Sequence, residues 1–162
     1  MIHIWSFDPG ETTGWCHLSA HDNEIGCFNC GETDLNGIGN LLYDNPSLRA
    51  AVSKHDVIET TFVVEKYVMN SKITQSPWSL ETTGLIRYFA NMYHINLEFQ
   101  MPSQAKNLVR NTVLNKAGLY VPGQDHAMDA ARHALYYLVV KKGLLKECLK
   151  TSSPGPTSIS ST

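Results

Sequence analysis

Residues 2–15 read IHIWSFDPGETTGW, a short apolar run that ends on a carboxylate and passes directly into a turn. Pro9 cannot donate a ladder hydrogen bond, and Gly10 and Gly14 tolerate positive φ, so the backbone is expected to turn here. A second strand is expected to follow. The stretch therefore predicts Asp8 at the mouth of a strand, beside a tight loop of backbone N–H and hydroxyl donors. That arrangement suits phosphate chemistry, although Asp-Pro-Gly is equally typical of an ordinary turn.

The chain has 162 residues, of which 43% are hydrophobic and 17% are charged, as in a globular domain with a real core. Its formal net charge of −2 provides no overall basic footprint, which counts modestly against a nucleic-acid partner. No apolar run is long enough to span a membrane and no segment resembles a signal peptide, so we expect a cytoplasmic protein without a membrane partner. We place one domain at 1–145 and a flexible Ser/Thr/Pro-rich tail at 146–162.

Cys27 and Cys30 form a single C-x-x-C motif, and no second such motif completes a zinc site. They fall in a strand-like segment, in which side chains three apart point to opposite faces. Reduced thiols are therefore favoured over structural zinc, for which His17 and His21 would be the additional candidate ligands.

Five strands are predicted from the alternation of apolar residues, at 2–7, 15–20, 24–30, within 57–68, and at 95–101. Short connections join the first three, which predicts an antiparallel meander. A helical segment at 35–54, broken at Asn45 and Pro46, leads to the fourth strand. A right-handed crossover of this kind sets the fourth strand parallel to the first.

Helical spacing predicts further helices at 78–93, 103–116 and 124–142. In the first of these, one apolar stripe is expected to hold Trp78, Thr82, Leu85, Ile86, Phe89, Met92 and Tyr93. In the last helix an alanine-rich stripe faces the core, and a neighbouring face holds Asp125, His126, Asp129 and His133. Asp125 is explained by capping or by the helix dipole, whereas Asp129 lies deeper and has no such explanation.

Glu65 ends the apolar run of the fourth strand as Asp8 ends that of the first. Because the two strands are parallel, both carboxylates are expected at the same end of the sheet, although a solvated strand end would also explain Glu65. Asp129 on the last helix, with His126 one turn earlier, completes a site of mainly oxygen donors. Such a site suits Mg²⁺ or Mn²⁺, and a pair of these ions can drive in-line hydrolysis of a phosphodiester.

Four motifs follow one another along the chain: DPGETTGW at 8–15, VVE at 63–65, PSQAK at 102–106, and HAMDA with HAL between 126 and 135. Together they resemble the RuvC-like Holliday-junction resolvases of the RNase H-like superfamily, particularly the short phage-type members, over residues 1–142. The resemblance implies an α/β fold with a five-stranded mixed sheet flanked by helices. Strands 1–3 would be antiparallel, and strands 1, 4 and 5 parallel.

The resemblance also implies an Mg²⁺-dependent homodimer that cuts both symmetry-related strands of a four-way DNA junction, in the host cytoplasm if it is phage-encoded. The implied metal ligands are Asp8, Glu65, Asp129 and His126, with Asp125 as the alternative to His126. These ligands would be catalytic together with Lys106, which matches a basic residue able to contact the scissile phosphate. The helix at 78–93, from Trp78 to Tyr93, resembles the element that pairs the subunits.

Two other functions stay open beside this metal-dependent, structure-selective endonuclease. The DPGETT loop also resembles the phosphate loop of actin and sugar-kinase type ATP-binding proteins, but these need a second domain of similar fold, for which 162 residues are too few. A non-cleaving module that binds branched DNA on an RNase H-like scaffold is the other alternative. The residue that opens base pairs at the junction is expected among Tyr67, Met69 and Trp78.

Overall fold

The computed structural model describes residues 1–46, 48–49, 59–67 and 76–149. The strands are β1 (Ile2–Asp8), β2 (Thr13–His21), β3 (Glu24–Thr33), β4 (Glu59–Glu65) and β5 (Asn96–Gln100), in the sheet order β3-β2-β1-β4-β5. β1 pairs with β2, and β2 with β3, in antiparallel fashion. β1 pairs with β4, and β4 with β5, in parallel. The predicted α/β fold with a five-stranded mixed sheet is therefore confirmed, including the direction of each strand.

The helices are α1 (Leu35–Asp44), α2 (Pro77–Met92), α3 (Pro102–Leu108), α4 (Asn111–Lys116) and α5 (Asp125–Tyr136). α5 continues into a π-helical turn at Tyr137–Lys141, and a 3-10 turn follows at Lys146–Leu149. Within the described ranges, no helix is both long and apolar enough to cross a membrane.

The sheet separates two hydrophobic cores. On one face Ile4, Leu18 and Val63 pack with the alanine-rich side of α5. On the other face Trp5 and Phe7 belong to the core formed with α1 and α2. Successive residues of β1 thus enter opposite cores, as the alternation of a strand that is buried on both faces requires.

The helix predicted at 103–116 is wrong as a single element, because the chain breaks between Leu108 and Asn111. Val109 leaves the helical region at φ −104° and ψ 84°. Its side chain is fully buried in the same core as Leu114. With the break between two short helices, both side chains enter the core that α5 also lines. Their burial outweighs the helical propensity of the segment.

The apolar stripe predicted for the helix at 78–93 is only partly right. Thr82, Ile86 and Phe89 are buried as expected, but Trp78 is 43% exposed and Met92 is 42% exposed. Ser79 and Ala90 are buried instead. The face that meets the sheet is therefore rotated away from Trp78 and Met92.

Several expectations concern residues outside the described ranges. These include most of the helical segment after Pro46, the candidate Met69 and the chain beyond residue 149. α1 ends at Asp44, in agreement with the predicted break at Asn45 and Pro46. The first residues of the expected tail, Lys146–Leu149, form the 3-10 turn.

Candidate active site

The acidic residues predicted from the strand ends lie at one edge of the sheet. Asp8 is the last residue of β1 and Glu65 is the last residue of β4. β1 and β4 are parallel neighbours, so both carboxylates leave the sheet at the same end. Asp8, Glu65, Lys66 and Tyr67 line a common pocket there.

The first residues of β2 lie directly against the start of α5. Gly14 lies so close to the backbone of His126 and Ala127 that a Cβ at this position would overlap both residues. On the neighbouring strand β1, the Ser6 hydroxyl donates to the carbonyl of Ala130 in α5 at 2.7 Å. The glycine predicted as a turn residue is therefore required for a different reason, namely the close approach of the helix to the sheet.

Glu32, near the end of β3, binds the N-terminus of α5. One of its carboxylate oxygens, Oε1, accepts from the backbone N–H of His126 at 2.8 Å and of Ala127 at 3.2 Å. The first N–H groups of a helix have no partner within the helix, and a carboxylate is favourable at this end of its dipole. Sequence reasoning missed Glu32 because the groups it contacts lie 94 and 95 positions away.

His126 contacts Asp8 directly. Its Nδ1 lies 3.0 Å from Asp8 Oδ2. This bond raises the pKa of His126, against the opposing effect of burial. Asp125 is exposed and makes no hydrogen bond or ion pair within the part of the chain that the structure describes. The geometry thus favours His126 over Asp125 as the companion of Asp8.

Glu65 is held by a buried histidine. His133 is fully buried, and its Nε2 lies 2.8 Å from Glu65 Oε2. Its Nδ1 lies 2.8 Å from Oε1 of Gln100, the last residue of β5. The sequence placed His133 on the polar face of the last helix without a role. For Gln100, the only feature in the sequence was its place at the end of an apolar run.

Lys106 connects two of the candidate metal ligands. Its ammonium group lies 2.8 Å from Asp129 Oδ2 and 3.7 Å from Glu65 Oε2. Burial acts to lower the pKa of Lys106, but the bond to Asp129 and the negative charges of Glu65, Asp129 and Asp8 outweigh burial and raise it. Lys106 is carried by α3, which starts at Pro102, one residue before the predicted start.

Asp129 is also bound by Arg132, one turn later on α5. The guanidinium group of Arg132 donates to Asp129 Oδ1 and, through its other terminal nitrogen, to the side-chain oxygen of Asn111. Both oxygens of Asp129 therefore have cationic partners, Lys106 on one and Arg132 on the other. Arg132 is a further residue that the sequence analysis missed.

Negative charge is crowded at this edge of the sheet. The pKa of Asp8 is raised, first by burial and then by the charge of Glu65, with a smaller contribution from Asp129. The hydrogen bond from His126 acts in the opposite direction. The charges of Glu65 and Asp129 thus lie close enough to Asp8 to disfavour its ionised form.

The donor set fits a hard divalent cation, and a cation already lies between two of the carboxylates in the form of the Lys106 ammonium. As they stand, however, no three His, Cys, Asp or Glu side chains among the described residues are arranged to hold a metal ion. Lys106 and Arg132 contact both oxygens of Asp129. A metal ion at Asp129 would share these oxygens with Lys106 and Arg132, whose positive charges oppose its binding.

No protein-family model matches the sequence, and no curated protein matches it either. Among solved structures, RuvC of Thermus thermophilus in complex with Holliday junction substrate has a TM-score of 0.59 at 16% identity, covering 90% of this chain and 98% of that one. Another Thermus thermophilus RuvC structure has a TM-score of 0.59 at 14% identity, covering 87% and 96%. The yeast mitochondrial Holliday junction resolvase Ydc2 has a TM-score of 0.48 at 12% identity, covering 90% and 82%. The chain has the RNase H-like fold of RuvC, and its predicted resemblance to the Holliday-junction resolvases is confirmed at the level of the fold.

Proposed function

We propose that this chain is a metal-dependent, structure-selective endonuclease that resolves four-way and other branched DNA junctions by paired phosphodiester hydrolysis. The observation that carries the proposal is the Lys106 ammonium between Glu65 and Asp129, at the sheet edge where Asp8 also lies. Three carboxylates from three separate elements collect negative charge in one place. Such a cluster is costly unless a cation neutralises it, and an oxygen-rich cluster favours Mg²⁺, with Mn²⁺ able to substitute.

Asp8, Glu65 and Asp129 are the residues that would hold the metal, and His126 can add a nitrogen ligand. Bound there, Mg²⁺ would activate a water molecule and stabilise the leaving 3′-oxygen of a phosphodiester. His133 keeps one oxygen of Glu65 in a fixed place. This orientation restricts the directions from which an ion can approach Glu65.

The other polar residues of the site have roles that do not depend on the ion. The Lys106 side chain is 42% exposed, so its ammonium group can reach a phosphate oxygen of bound DNA. His126 is also exposed, and only its Nδ1 is engaged by Asp8. If His126 does not ligate the metal, its Nε2 is the atom available for exchanging a proton with solvent or substrate.

We further propose that two copies of the chain pair through α2. A four-way junction contains symmetry-related strands, and a twofold dimer presents one site to each. α2 carries exposed apolar side chains, among them Leu80 and Tyr88, on the surface opposite its buried stripe. These side chains are the expected contacts of the dimer.

A non-cleaving module that binds branched DNA is the second candidate. The observation in its favour is that Lys106 and Arg132 contact both oxygens of Asp129. In this interpretation Lys106 and Arg132 would neutralise the acidic cluster permanently rather than give way to a metal ion.

The test is a cleavage assay on a labelled four-way junction and on linear duplex of the same sequence, with Mg²⁺, with Mn²⁺ and with chelator. Metal-dependent nicks paired across the junction support the nuclease, and Asp8→Asn, Glu65→Gln and Asp129→Asn should each abolish them while junction binding persists. A junction that is bound but stays intact in every metal condition favours the non-cleaving module. Nucleotide hydrolysis without DNA would point instead to an ATP-binding protein.

A further inference from the structure

A cationic cleft lies beside the acidic pocket, between α3, α4 and α5. It is lined by Lys106, Arg110, Asn111, Asp129 and Arg132. Three of these side chains are positive and one is negative, although the whole chain has a formal net charge of −2. The cleft therefore concentrates positive charge that the overall composition does not predict.

The two arginines of the cleft differ in how their side chains are held. Arg132 is anchored by its bonds to Asp129 and Asn111, which engage two of the five N–H groups of a guanidinium. Arg110 lies at the break between α3 and α4, where its carbonyl accepts from the N–H groups of Val113 and Leu114 at 2.9 and 3.1 Å. Its side chain is exposed and forms no ion pair within the described ranges. Arg110 thus has a fixed backbone and a charge that no described carboxylate neutralises.

Lys106 links the cleft to the acidic pocket, since it lines the cleft and also contacts Asp129 and Glu65. A strand whose scissile phosphate meets Lys106 can therefore continue into the cleft, where Lys106 and Arg132 pair with the one negative side chain, Asp129. Guanidinium groups are suited to phosphate because their forked donors match its oxygens and their charge is permanent.

We propose that this cleft binds a backbone phosphate of the DNA strand adjacent to the scissile phosphate, with Arg110 as its principal contact and Arg132 as an anchored second donor. The inference rests on the proposed function, because it assigns the cleft to the strand that the acidic pocket cuts. The proposed phosphate site would also explain how a chain with a net charge of −2 can bind DNA, which is a polyanion. Local positive charge along the path of the strand is sufficient, since phosphate contacts provide most of the sequence-independent affinity.

The experiment measures junction affinity as a function of salt concentration for the wild type, Arg110→Gln, Arg110→Lys and Lys146→Gln, each with Ca²⁺ in place of Mg²⁺. Arg110→Gln should bind more weakly, and its slope of log K against log salt should be shallower by about 0.9, the value for one lost phosphate contact. Arg110→Lys should keep the wild-type slope because it keeps the charge.

Lys146→Gln is the control for charge removal. Lys146 is exposed and follows Leu145, whose N–H binds Asn23 in the turn between β2 and β3, at the end of the sheet remote from Asp8. Its affinity and slope should match those of the wild type. A wild type that binds the junction in Ca²⁺ and cuts it in Mg²⁺, while Arg110→Gln retains the full slope, would overturn the cleft assignment alone. A wild type that binds in Ca²⁺ but does not cut in Mg²⁺ would overturn the proposed nuclease, and the slope of Arg110→Gln would still decide the cleft. A wild type that neither binds nor cuts would overturn the proposed function and the cleft with it.

Discussion

His133 Nε2 lies 2.8 Å from Glu65 Oε2, in a position where the imidazole ring is fully buried. Gln100 engages the other ring nitrogen at 2.8 Å, so the ring cannot rotate without breaking a buried hydrogen bond. Buried residues of the chain itself therefore orient Glu65. Buried partners of this kind commonly orient metal-ligating side chains.

The first prediction is that His133→Ala lowers the affinity for Mn²⁺ about 10- to 100-fold, the usual effect of losing such a partner. Electron paramagnetic resonance on DNA-free protein measures the bound ion directly. His133→Gln, which retains a hydrogen-bonding side chain, should recover part of the affinity. Leu135→Ala is the matched control, because Leu135 is fully buried on the same helix. If Leu135→Ala and His133→Ala lose the same Mn²⁺ affinity, His133 contributes only by packing in the core.

Lys106 and a metal ion are expected to compete for the same carboxylates. The second prediction is that Lys106→Met raises the Mn²⁺ affinity of the DNA-free protein, since it releases Asp129 Oδ2 and removes a positive charge 3.7 Å from Glu65 Oε2. The same variant should cut junctions more slowly, because it has lost a contact to phosphate. Titration calorimetry checks the first result and a single-turnover assay checks the second. Unchanged or weaker Mn²⁺ binding would contradict the competition.

Gly14 is expected to tolerate no side chain, because α5 passes directly against it. The third prediction is that Gly14→Ala lowers the free energy of unfolding by about 1–3 kcal/mol, as overpacking does. Urea unfolding measures the change. Gly39→Ala is the control, since Gly39 lies inside α1 and an added Cβ would make only one ordinary contact, with Leu85. It should be neutral or stabilise the protein by up to about 1 kcal/mol. Similar effects at both glycines would contradict the close approach of α5.

The positions of Asp8 and Glu65 were predictable because two strands of like direction end their apolar runs on a carboxylate. His126 and Asp129 were predictable because residues three apart on a helix share a face. These inferences depend only on local periodicity and on one crossover. The parallel arrangement of β1 and β4 then brings the strand-end carboxylates to one edge.

The partners of these residues were not predictable in the same way. Glu32 binds the N-terminus of α5 across 94 positions, and Gln100 meets His133 across 33. No local pattern encodes such contacts, since they arise only when the helix is packed on the sheet. The break at Val109 has the same origin, because burial against α5 rather than helix propensity decides the backbone there.

The bond between His126 and Asp8 makes stability depend on pH. Because the pKa of His126 is raised in the folded state, its contribution is fully present below the ordinary value of 6.5 and is lost as pH rises through the raised value. The fourth prediction is that His126→Gln lowers the Tm of metal-free protein most near pH 6. The difference from the wild type should shrink steadily toward pH 9. Thermal unfolding in chelator across this range measures it, and a difference that is constant with pH would argue against the ion pair.

The last prediction concerns the exposed side of α2. Leu80 and Tyr88 are 49% and 62% exposed, and a Cβ added at Gly84 between them would meet no atom within 4 Å. Residues 80, 84 and 88 are spaced by four and therefore form one stripe, which lets a second copy of the helix approach closely at the glycine. If this stripe is the dimer interface, Tyr88→Glu should convert a dimer into a monomer, because it buries an unpaired charge in the contact.

Light scattering coupled to size-exclusion chromatography measures the mass of each variant. Val140→Glu is the control, since Val140 is 47% exposed in the π-helical turn after α5. It should leave the mass unchanged. Monomeric Tyr88→Glu should still nick junctions, but the two nicks should lose their coupling because each requires a separate binding event. A dimer that survives Tyr88→Glu would place the subunit contact elsewhere on the chain.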